Sequence, residues 1–334
     1  FEGKMSESKK YVDYLIKDFK SWPKYKYDTV YFGGGTPSLL EPSEIGRILK
    51  EIEITENAEI TLELNPATAN LKKLQEFKEN GINRLSIGIQ SFNNEILKTL
   101  GRLHSAEKAK ETFYNARKAG FDNISIDLMF AVPNQGIEEL KKDLETIKEL
   151  NPEHISIYSL IWEEGTPFWD MLQQGTMKAC DNDIEADMFE LIIDTLADRG
   201  YTHYEISNFA KEGKEARHNS KYWENKEYIA LGIGASFYTE RFRGKNLLGF
   251  NEYYEAIDKG EKPWFESEKV DNPKEYEYML GLRLLQEGIV PTEENIKITC
   301  EKLKNDGYLE IKSGKYLLTR KGIFFANYVF EQVL

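Results

Sequence analysis

Polar side chains able to bind a small ligand stand at the ends of several strand-like stretches in this 334-residue sequence. Glu63, Gln90 and Asp127 lie at or near the ends of three successive apolar runs, and Tyr158 ends the next one. Arg102 lies in a short turn after Gln90. Carboxylates, an amide and a guanidinium together suit a ligand with an ammonium, hydroxyls, an adenine edge and a carboxylate. Each residue alone could equally cap a helix or form a surface ion pair.

Three consecutive glycines, at positions 33–35, follow the strand-like run Val30-Tyr31-Phe32 and precede Thr36-Pro37. Because glycine has no side chain, bare backbone amides and carbonyls in such a loop can approach a ligand closely. Thr36 adds a hydroxyl, and Pro37 fixes the backbone where the chain leaves the loop. The pattern predicts a loop that contacts a small molecule.

Alternating strands and helices must position these residues. The apolar runs predict strands at 29–32, 60–64, 84–89, 124–129, 154–160 and 201–206. Helical patterns separate them, including one that Ser105 can cap and that runs to Gly120. A rhythm of about 30 residues per strand and helix is typical of βαβ units in a parallel sheet or barrel. Such barrels bind ligands at the carboxyl ends of their strands, where the polar residues fall.

The last part of the chain has a different pattern. Helices are predicted at 273–287 and 292–305, a hairpin at 308–319 and a final helix to Leu334. This order is similar to a winged helix and predicts a main domain at 1–265 and a small α+β domain at 266–334. The helix at 292–305 mixes acidic and basic residues, which is typical of a solvated face and not of a phosphate-binding one.

Composition excludes several classes of function. The net charge of −13 argues against nucleic-acid partners, which require surplus Lys and Arg. No apolar stretch is long enough for a transmembrane segment, and the first residues lack the character of a signal peptide. Cys180 and Cys300 are too far apart in sequence for a cysteine-based metal motif. These features predict a cytoplasmic protein from a reducing compartment.

A second candidate site surrounds His218, in the stretch Arg217-His218-Asn219-Ser220-Lys221-Tyr222-Trp223 between two ordered segments. Imidazole can ligate iron, and tyrosine and tryptophan faces can pack on a flat macrocycle. A structural loop anchored by Trp223 is the alternative interpretation. Of the other histidines, His154 and His203 lie in or near strands and are predicted to be structural, whereas His104 could serve either role.

Six segments taken together resemble a known family, and they cover nearly the whole chain. The segments are Tyr31-Phe32-Gly33-Gly34-Gly35-Thr36-Pro37-Ser38-Leu39-Leu40, Glu63-Leu64-Asn65-Pro66, Asn83-Arg84-Leu85-Ser86-Ile87-Gly88-Ile89-Gln90-Ser91-Phe92, Leu100-Gly101-Arg102-x-His104-Ser105, Ser125-Ile126-Asp127-Leu128-Met129 and Tyr204-Glu205-Ile206-Ser207-Asn208-Phe209. They resemble radical S-adenosylmethionine (SAM) proteins of the oxygen-independent coproporphyrinogen III oxidase group. The motif His218-Asn219-x-x-Tyr222-Trp223 is similar to the HemW-type heme chaperone branch.

The resemblance implies a fold and a set of site residues. The fold is α/β, a partial (β/α)6 TIM-like barrel with a small C-terminal domain. The implied SAM site comprises Gly34, Gly35, Thr36, Glu63, Gln90, Arg102 and Asp127, and the family's glycine loop meets the methionyl end of SAM. His218 is implied as a candidate heme ligand. Two positions depart from the family pattern, Ala216 where a Cys is common and Ser236 where a His is common.

The family's cluster-binding segment does not occur in this sequence. The first barrel strand and the Cys-x3-Cys-x2-Cys loop that holds a [4Fe–4S] cluster are missing, and Phe1 is expected to follow directly after that loop. Cys180 and Cys300 cannot replace three thiolates, because their spacing is wrong. The residues given are therefore expected to hold no metal and to perform no reductive cleavage of SAM, and no catalytic residue is assigned.

Three functions remain open at this point. The favoured one is a heme chaperone that binds SAM, a cluster and heme and passes the heme to an acceptor protein that the sequence does not identify. The alternative is a coproporphyrinogen III dehydrogenase, in which a radical from SAM abstracts hydrogen from propionate side chains of a porphyrinogen. A silent SAM-binding relic is the third. Binding of hemin without conversion of coproporphyrinogen would favour the chaperone.

Overall fold

The computed structural model describes residues 5–239, 242–272, 274 and 276–334. Two sequence predictions therefore lie outside the described residues, namely the place of Phe1 after a cluster loop and the start of a helix at Pro273. The helices are α1 (Met5–Lys20), α2 (Pro42–Glu51), α3 (Leu71–Glu79), α4 (Asn94–Thr99), α5 (Ala106–Lys118), α6 (Ile137–Leu150), α7 (Pro167–Gln173), α8 (Asn182–Asp198), α9 (Arg217–Trp223), α10 (Phe250–Asp258), α11 (Glu277–Gly281), α12 (Glu294–Asn305), α13 (Arg320–Phe324) and α14 (Ala326–Val333). Within these described ranges, no helix is long and apolar enough to cross a membrane.

The strands follow the apolar runs of the sequence. They are β1 (Tyr27–Phe32), β2 (Ile54–Leu64), β3 (Arg84–Gln90), β4 (Ile124–Phe130), β5 (His154–Ser159), β6 (Thr202–Glu205), β7 (Asn208–Ala210), β8 (Ser236–Tyr238), β9 (Phe242–Asn246), β10 (Trp264–Lys269), β11 (Leu309–Lys312) and β12 (Lys315–Leu318). The predicted strands at 29–32, 60–64, 84–89, 124–129 and 154–160 are confirmed. Strand β2 begins six residues earlier than its apolar run, at Ile54, because the added part includes the polar and less buried residues Thr55, Glu56 and Asn57.

The chain divides into two compact units. The sheet unit comprises Gly35–Ser38 and Ile60–Glu215, and the second unit comprises Phe1–Gly34, Leu39–Glu59 and Ala216–Leu334. Within the second unit, the tail contains α11, α12, the β11–β12 hairpin, α13 and α14. The helix predicted at 273–287 is shorter, since α11 covers only Glu277–Gly281, and the predicted final helix is two helices, α13 and α14. The division of the chain between residues 265 and 266 stays a prediction.

A seven-stranded sheet has the order β1-β2-β3-β4-β5-β7-β6. The pairs β2–β3, β3–β4 and β4–β5 are parallel, and helices α4, α5 and α6 lie in the connections between β3, β4 and β5. Parallel neighbours require such crossovers, since a hairpin would reverse the strand. The carboxyl ends of β2 to β5 therefore share one edge of the sheet.

The two faces of these strands differ in polarity. Side chains alternate between faces along a strand, and on β4 the residues Ile124 and Ile126 are fully buried. On the other face Ser125, Asp127 and Met129 follow one another, beside Ser156 of β5. The apolar face is the one that helices cover, since α5 packs on β3 and α3 packs on α5. The polar face is left for other contacts.

Local capping fixes the helices between the strands. The predicted cap at Ser105 is confirmed, because its hydroxyl accepts the Lys108 amide hydrogen at the start of α5. Asn70 and Asn93 cap α3 and α4 in the same way. Each cap satisfies an amide that the first helical turn leaves without a partner.

The prediction of one strand at 201–206 is wrong in part. The chain forms a hairpin of β6 and β7, and β7 pairs antiparallel to β5. The turn depends on Glu205, whose carboxylate accepts the Ser207 amide and the Asn208 side-chain amide. Because this cap is a buried carboxylate and not a glycine or proline, no turn signal marks it in the sequence.

A buried hydrogen-bonded chain crosses the polar face of the sheet. His154 is fully buried, with Nδ1 2.8 Å from Ser125 Oγ and Nε2 2.8 Å from the Tyr204 hydroxyl. Burial lowers the pKa of His154 well below its usual value, so the ring stays neutral. A neutral imidazole has one donor and one acceptor nitrogen, and the two hydroxyls satisfy both. The structural role predicted for His154 agrees with these contacts.

We expect the substitution Tyr204→Phe to lower the free energy of unfolding by about 1–3 kcal/mol, because it leaves a nitrogen of His154 buried without a partner. Tyr114→Phe is the matched control, since its hydroxyl bonds Glu149 at an exposed position and its loss should cost less than about 1 kcal/mol. Urea denaturation measures both. Equal costs for the two variants would contradict the prediction.

Candidate functional site

The sheet unit brings four of the predicted site residues to the carboxyl edge of its polar face. Glu63 is the last but one residue of β2, Asp127 lies in β4 and Gln90 ends β3. Arg102 lies in the turn between α4 and α5. In the strand register Glu63 is opposite Ser86, and Asp127 is opposite both Gly88 and Ser156. The proximity that the sequence predicted for these residues is therefore present.

Asp127 is the electrostatic centre of this group. Ser86 Oγ donates to its carboxylate at 3.0 Å, and the Ser156 hydroxyl acts in the same direction on its pKa. Burial, opposed by these hydroxyls and reinforced by the charge of Glu63, raises the pKa of Asp127 to about 6. A carboxylate that is desolvated and faces a second carboxylate gains from a cationic partner.

Two further residues lie within electrostatic range of Asp127. Burial lowers the pKa of Arg102, and the negative charge of Asp127 acts in the opposite direction. Burial also raises the pKa of Tyr158, with added contributions from Asp127, Glu205 and Glu63. Tyr158 therefore remains a neutral hydroxyl, and at 40% exposure it is accessible from solvent.

The glycine loop is tied to the end of β2 by Ser38. The buried Ser38 hydroxyl lies 2.6 Å from Thr68 Oγ1 and accepts the Asn65 amide, just after Glu63. Lys73 Nζ donates to the Ser38 carbonyl at 2.8 Å. These contacts hold the segment Gly35–Ser38, with Thr36, at the carboxyl end of β2. No local pattern in the sequence indicates that Ser38 has this role.

Two glycines of this loop have different requirements. Gly34 has φ +97°, a conformation that side chains rarely adopt. A Cβ added at Gly35 would meet no heavy atom within 4 Å, so the surrounding protein packing does not require glycine there. Open space beside bare backbone is what a ligand that contacts the loop needs.

Arg84 is a site residue that the sequence analysis missed. Its side chain is 2% exposed, and Nε has no hydrogen-bond partner among the described residues. Its positive charge lowers the pKa of Asp127 and also that of His154. Arg84 is the first residue of β3 and lies on the polar face. A charged residue at the start of an otherwise apolar strand was the one feature of the sequence that could have indicated a buried arginine. Arg84 keeps Asp127 closer to the ionised state.

His218 lies in the second unit, and the prediction of a loop there is wrong. The residue belongs to helix α9, whose first amides, those of Arg217 and His218, donate to the Glu59 carboxylate at 3.1 and 3.0 Å. Because the cap comes from a residue distant in sequence, no local capping pattern predicted the helix. Tyr31 stacks on the His218 ring, with 5.0 Å between centroids.

Both ring nitrogens of His218 are hydrogen-bonded. Nδ1 lies 2.9 Å from Thr29 Oγ1, and Nε2 lies 2.8 Å from the Tyr222 hydroxyl. A metal could bind Nε2 only by displacing Tyr222. The bond at Nδ1 is compatible with such a role, since the second nitrogen of a metal-bound histidine usually donates to a protein oxygen.

The described residues do not fit an iron–sulfur cluster. No group of three or more His, Cys, Asp or Glu side chains in the described part of the chain could hold a metal ion. Cys180 belongs to the sheet unit and Cys300 to the second unit. Burial raises the pKa of the Cys300 thiol to about 11 and also raises that of Cys180, so neither thiol favours the thiolate form that clusters require.

Comparison with known proteins supports the resemblance. Residues 2–147 match the model of the Radical SAM superfamily. The chain is 37% identical over 337 residues to a protein of Lactococcus lactis subsp. lactis named heme chaperone HemW, covering 97% of this chain and 89% of that protein. It is 36% identical over 262 residues to a protein of the same name from Bacillus subtilis, covering 76% of this chain and 69% of that protein.

The fold has a solved counterpart. Coproporphyrinogen III oxidase (HemN) from Escherichia coli, a radical SAM enzyme, superposes with a TM-score of 0.82 at 20% identity, over 99% of this chain and 84% of that one. The predicted α/β fold with a curled, partial barrel of parallel strands is thereby confirmed. Given the identity to HemW proteins across nearly the full length of both chains, this chain belongs to the HemW family of the radical SAM superfamily.

Proposed function

We propose that the protein binds SAM at the carboxyl edge of its sheet unit and serves as a heme chaperone. The observation that supports SAM binding is the grouping of Glu63, Gln90 and Arg102 around the desolvated carboxylate of Asp127. SAM carries a sulfonium, an ammonium, a carboxylate, ribose hydroxyls and an adenine. The carboxylates suit its cations and hydroxyls, and the Arg102 fork suits its carboxylate.

The glycine loop contributes backbone to the same proposed site. Gly35 and Thr36 are held at the end of β2 by Ser38, and Gly34 provides the positive-φ turn before them. Open space at Gly35 leaves its amide and carbonyl accessible to the ligand. In the superfamily a [4Fe–4S] cluster supplies the electron that cleaves SAM. The described residues do not provide its ligands, and the proposal concerns SAM binding alone.

The heme function is supported by the two relatives described above, both of which are named heme chaperones. In this chain the candidate ligand of the heme iron is His218. Its Nδ1 is hydrogen-bonded to Thr29, and its Nε2 is hydrogen-bonded to Tyr222. A heme iron at Nε2 would require the Tyr222 side chain to move away, whereas Tyr31 stacks on the imidazole and Thr29 would keep Nδ1 oriented. The oxidase alternative has only a shared fold in its favour, which does not determine function.

Removing either carboxylate should weaken SAM binding. We expect Asp127→Asn and Glu63→Gln each to raise the dissociation constant roughly 10- to 100-fold, the effect of losing one charge-assisted contact. Asp122→Asn, an exposed acid before β4, is the control and should bind as the parent protein does. Isothermal titration calorimetry measures all four proteins. Unchanged affinity in both site variants would remove the site assignment.

The affinity for SAM should depend on pH through Asp127. Its pKa of about 6 without ligand means that the carboxylate is ionised at pH 7 and protonated at pH 5. A cation prefers the ionised form, so affinity should fall about tenfold between pH 7 and pH 5. In Asp127→Asn the dependence over that interval should disappear. A profile with the same slope in both proteins would show that another group titrates.

Hemin binding tests the role of His218. We expect a Soret band on adding hemin to the purified protein and its loss or marked shift in His218→Ala. In Tyr222→Phe binding should tighten severalfold, because Nε2 no longer has to exchange a hydrogen bond of about 1 kcal/mol. His203→Ala is the control. An unchanged spectrum in His218→Ala would exclude this ligand, and anaerobic conversion of coproporphyrinogen without hemin binding would favour the oxidase.

A further inference from the structure

The carboxyl end of β3 contains a bulge. Gly88 pairs with Asp127, but the next pair is Gln90 with Leu128, so β3 has one residue more than β4 over this step. The extra residue is Ile89. Gln90 has φ +73°, which is rare for a residue with a side chain. Bulges of this kind redirect side chains and recur beside binding sites.

The bulge directs the Gln90 side chain back over its own strand. A Cβ built on Gly88 would lie 3.1 Å from Gln90 Nε2, so the amide occupies the space that a side chain at position 88 would need. Gly88 is the register partner of Asp127. Gln90 is only 8% exposed. Its amide therefore lies over Gly88, next to the position of Asp127 on the neighbouring strand.

His104 holds the middle of this bulge. Its Nε2 lies 3.0 Å from the Ile89 carbonyl, and the ring is 5% exposed. A carbonyl only accepts hydrogen bonds, so Nε2 carries the hydrogen in this contact. The irregular register interrupts the regular β3–β4 pairing at Ile89, and His104 supplies a donor to its carbonyl.

The same histidine belongs to the turn that carries Arg102. The Arg102 amide donates to the Leu97 carbonyl at 2.9 Å, closing α4. Asn94 Oδ1 accepts the Ala106 amide at 2.8 Å, which fixes the start of α5. The turn is thus held at both ends, and the bond from His104 to Ile89 joins it to the bulge.

Asp143 of α6 holds the chain on the other side of Gln90. Its carboxylate accepts the Ser91 hydroxyl at 2.7 Å and the Phe92 amide at 2.8 Å. Asp143 and Ser91 are both buried. The strained backbone of Gln90 is therefore fixed from two directions, by α6 after it and by His104 before it.

We infer that His104 is a positioning residue for the SAM site, one that holds the bulge at Ile89 and thereby sets the amide of Gln90 against the ligand next to Arg102; the inference rests on the proposed SAM binding. His104 does not touch the ligand in this role. It joins two ligand-binding segments, the end of β3 and the turn after α4, so that they act as one.

A double-mutant cycle in the full chain tests the inference. His104→Ala and Gln90→Ala are each expected to raise the dissociation constant for SAM about tenfold, whereas adding His104→Ala to Gln90→Ala should change it less than twofold. His104→Gln, whose amide can donate to the Ile89 carbonyl, should restore most of the affinity. Effects that multiply in the double variant, or no rescue by glutamine, would overturn the inference while leaving SAM binding intact.

The matched control is His203→Ala. His203 also places Nε2 3.0 Å from a backbone carbonyl, that of Ile206, at a partly buried position of the same unit. It should leave the affinity unchanged even where it lowers the melting temperature. Equal losses of affinity in the two histidine variants would mean that general destabilisation explains both, which would overturn the inference.

Two readouts cover the remaining outcomes. Gly88→Ala brings a methyl group 3.1 Å from Gln90 Nε2 and should displace the amide, so it should lower the affinity for SAM as His104→Ala does. This variant provides the test if His104→Ala fails to fold. Normal SAM binding by Gly88→Ala would contradict the proposed position of the Gln90 amide. The side-chain amide resonance of Gln90, assigned with Gln90→Ala, should shift in His104→Ala without ligand and return toward its parent position in His104→Gln. Absence of SAM binding by the parent protein overturns the proposed function, and an unshifted resonance overturns the positioning role independently.

Discussion

The alternation of side chains along β2 to β5 is the constraint on which the rest of the structure depends. Leu85 and Ile87 of β3 are fully buried, and the residues between and beside them, Arg84, Ser86 and Gly88, lie on the other face. A shift of the register by one residue would exchange the two faces. The burial of the apolar face against helices therefore fixes the position of every polar group on the opposite one, Asp127 included.

Burial makes that polar face favourable for a charged ligand. Asp127 retains a pKa of about 6 only because two serine hydroxyls and the Arg84 charge oppose its desolvation. A cation placed among these groups interacts in a medium of low effective dielectric, where a single contact is stronger than in water. The same surroundings destabilise the ionised carboxylate in the empty site. The unfavourable burial of Asp127 and its capacity to bind a cation thus have one origin.

Sequence patterns predicted those parts of the fold that local residues determine. Five of the six predicted strands, and the proximity of Glu63, Gln90 and Asp127 at one edge, followed from apolar runs and their order. The cap at Ser105 followed from its place before a helical pattern, whereas Arg102 lies in a turn and was singled out for its guanidinium and by the family resemblance. The carboxyl ends of parallel strands lie at the same edge of the sheet in any register. Residues at these ends are therefore expected to lie close together even before the pairing of individual residues is known. For that reason the candidate site was predictable before any contact was known.

Two kinds of feature escaped prediction. Glu59 caps α9 from 158 positions away, and the bulge at Ile89 is visible only once β3 is set against β4. In both cases the residue that stabilises the local conformation belongs to another element, so the local sequence carries no signal. The β6–β7 turn is local, and it escaped prediction because the Glu205 carboxylate stabilises it where a glycine or proline is the usual turn signal. Arg84 differs, since its burial on the polar face, with Nε lacking a hydrogen-bond partner among the described residues, is a property of the packing itself.

The contacts of His218 restrict how the second unit could bind iron. Thr29 and Tyr222 both carry hydroxyls, which can donate or accept, so either tautomer of the ring is satisfied without ligand. Iron at Nε2 requires the hydrogen on Nδ1, and Thr29 Oγ1 then accepts it, which orients the ring. Tyr222 must move away from Nε2 in that state, and its edge contact with Tyr228, now 4.6 Å between centroids, must change with it. Heme binding at this position would therefore exchange one hydrogen bond for one metal bond and require the Tyr222 ring to repack.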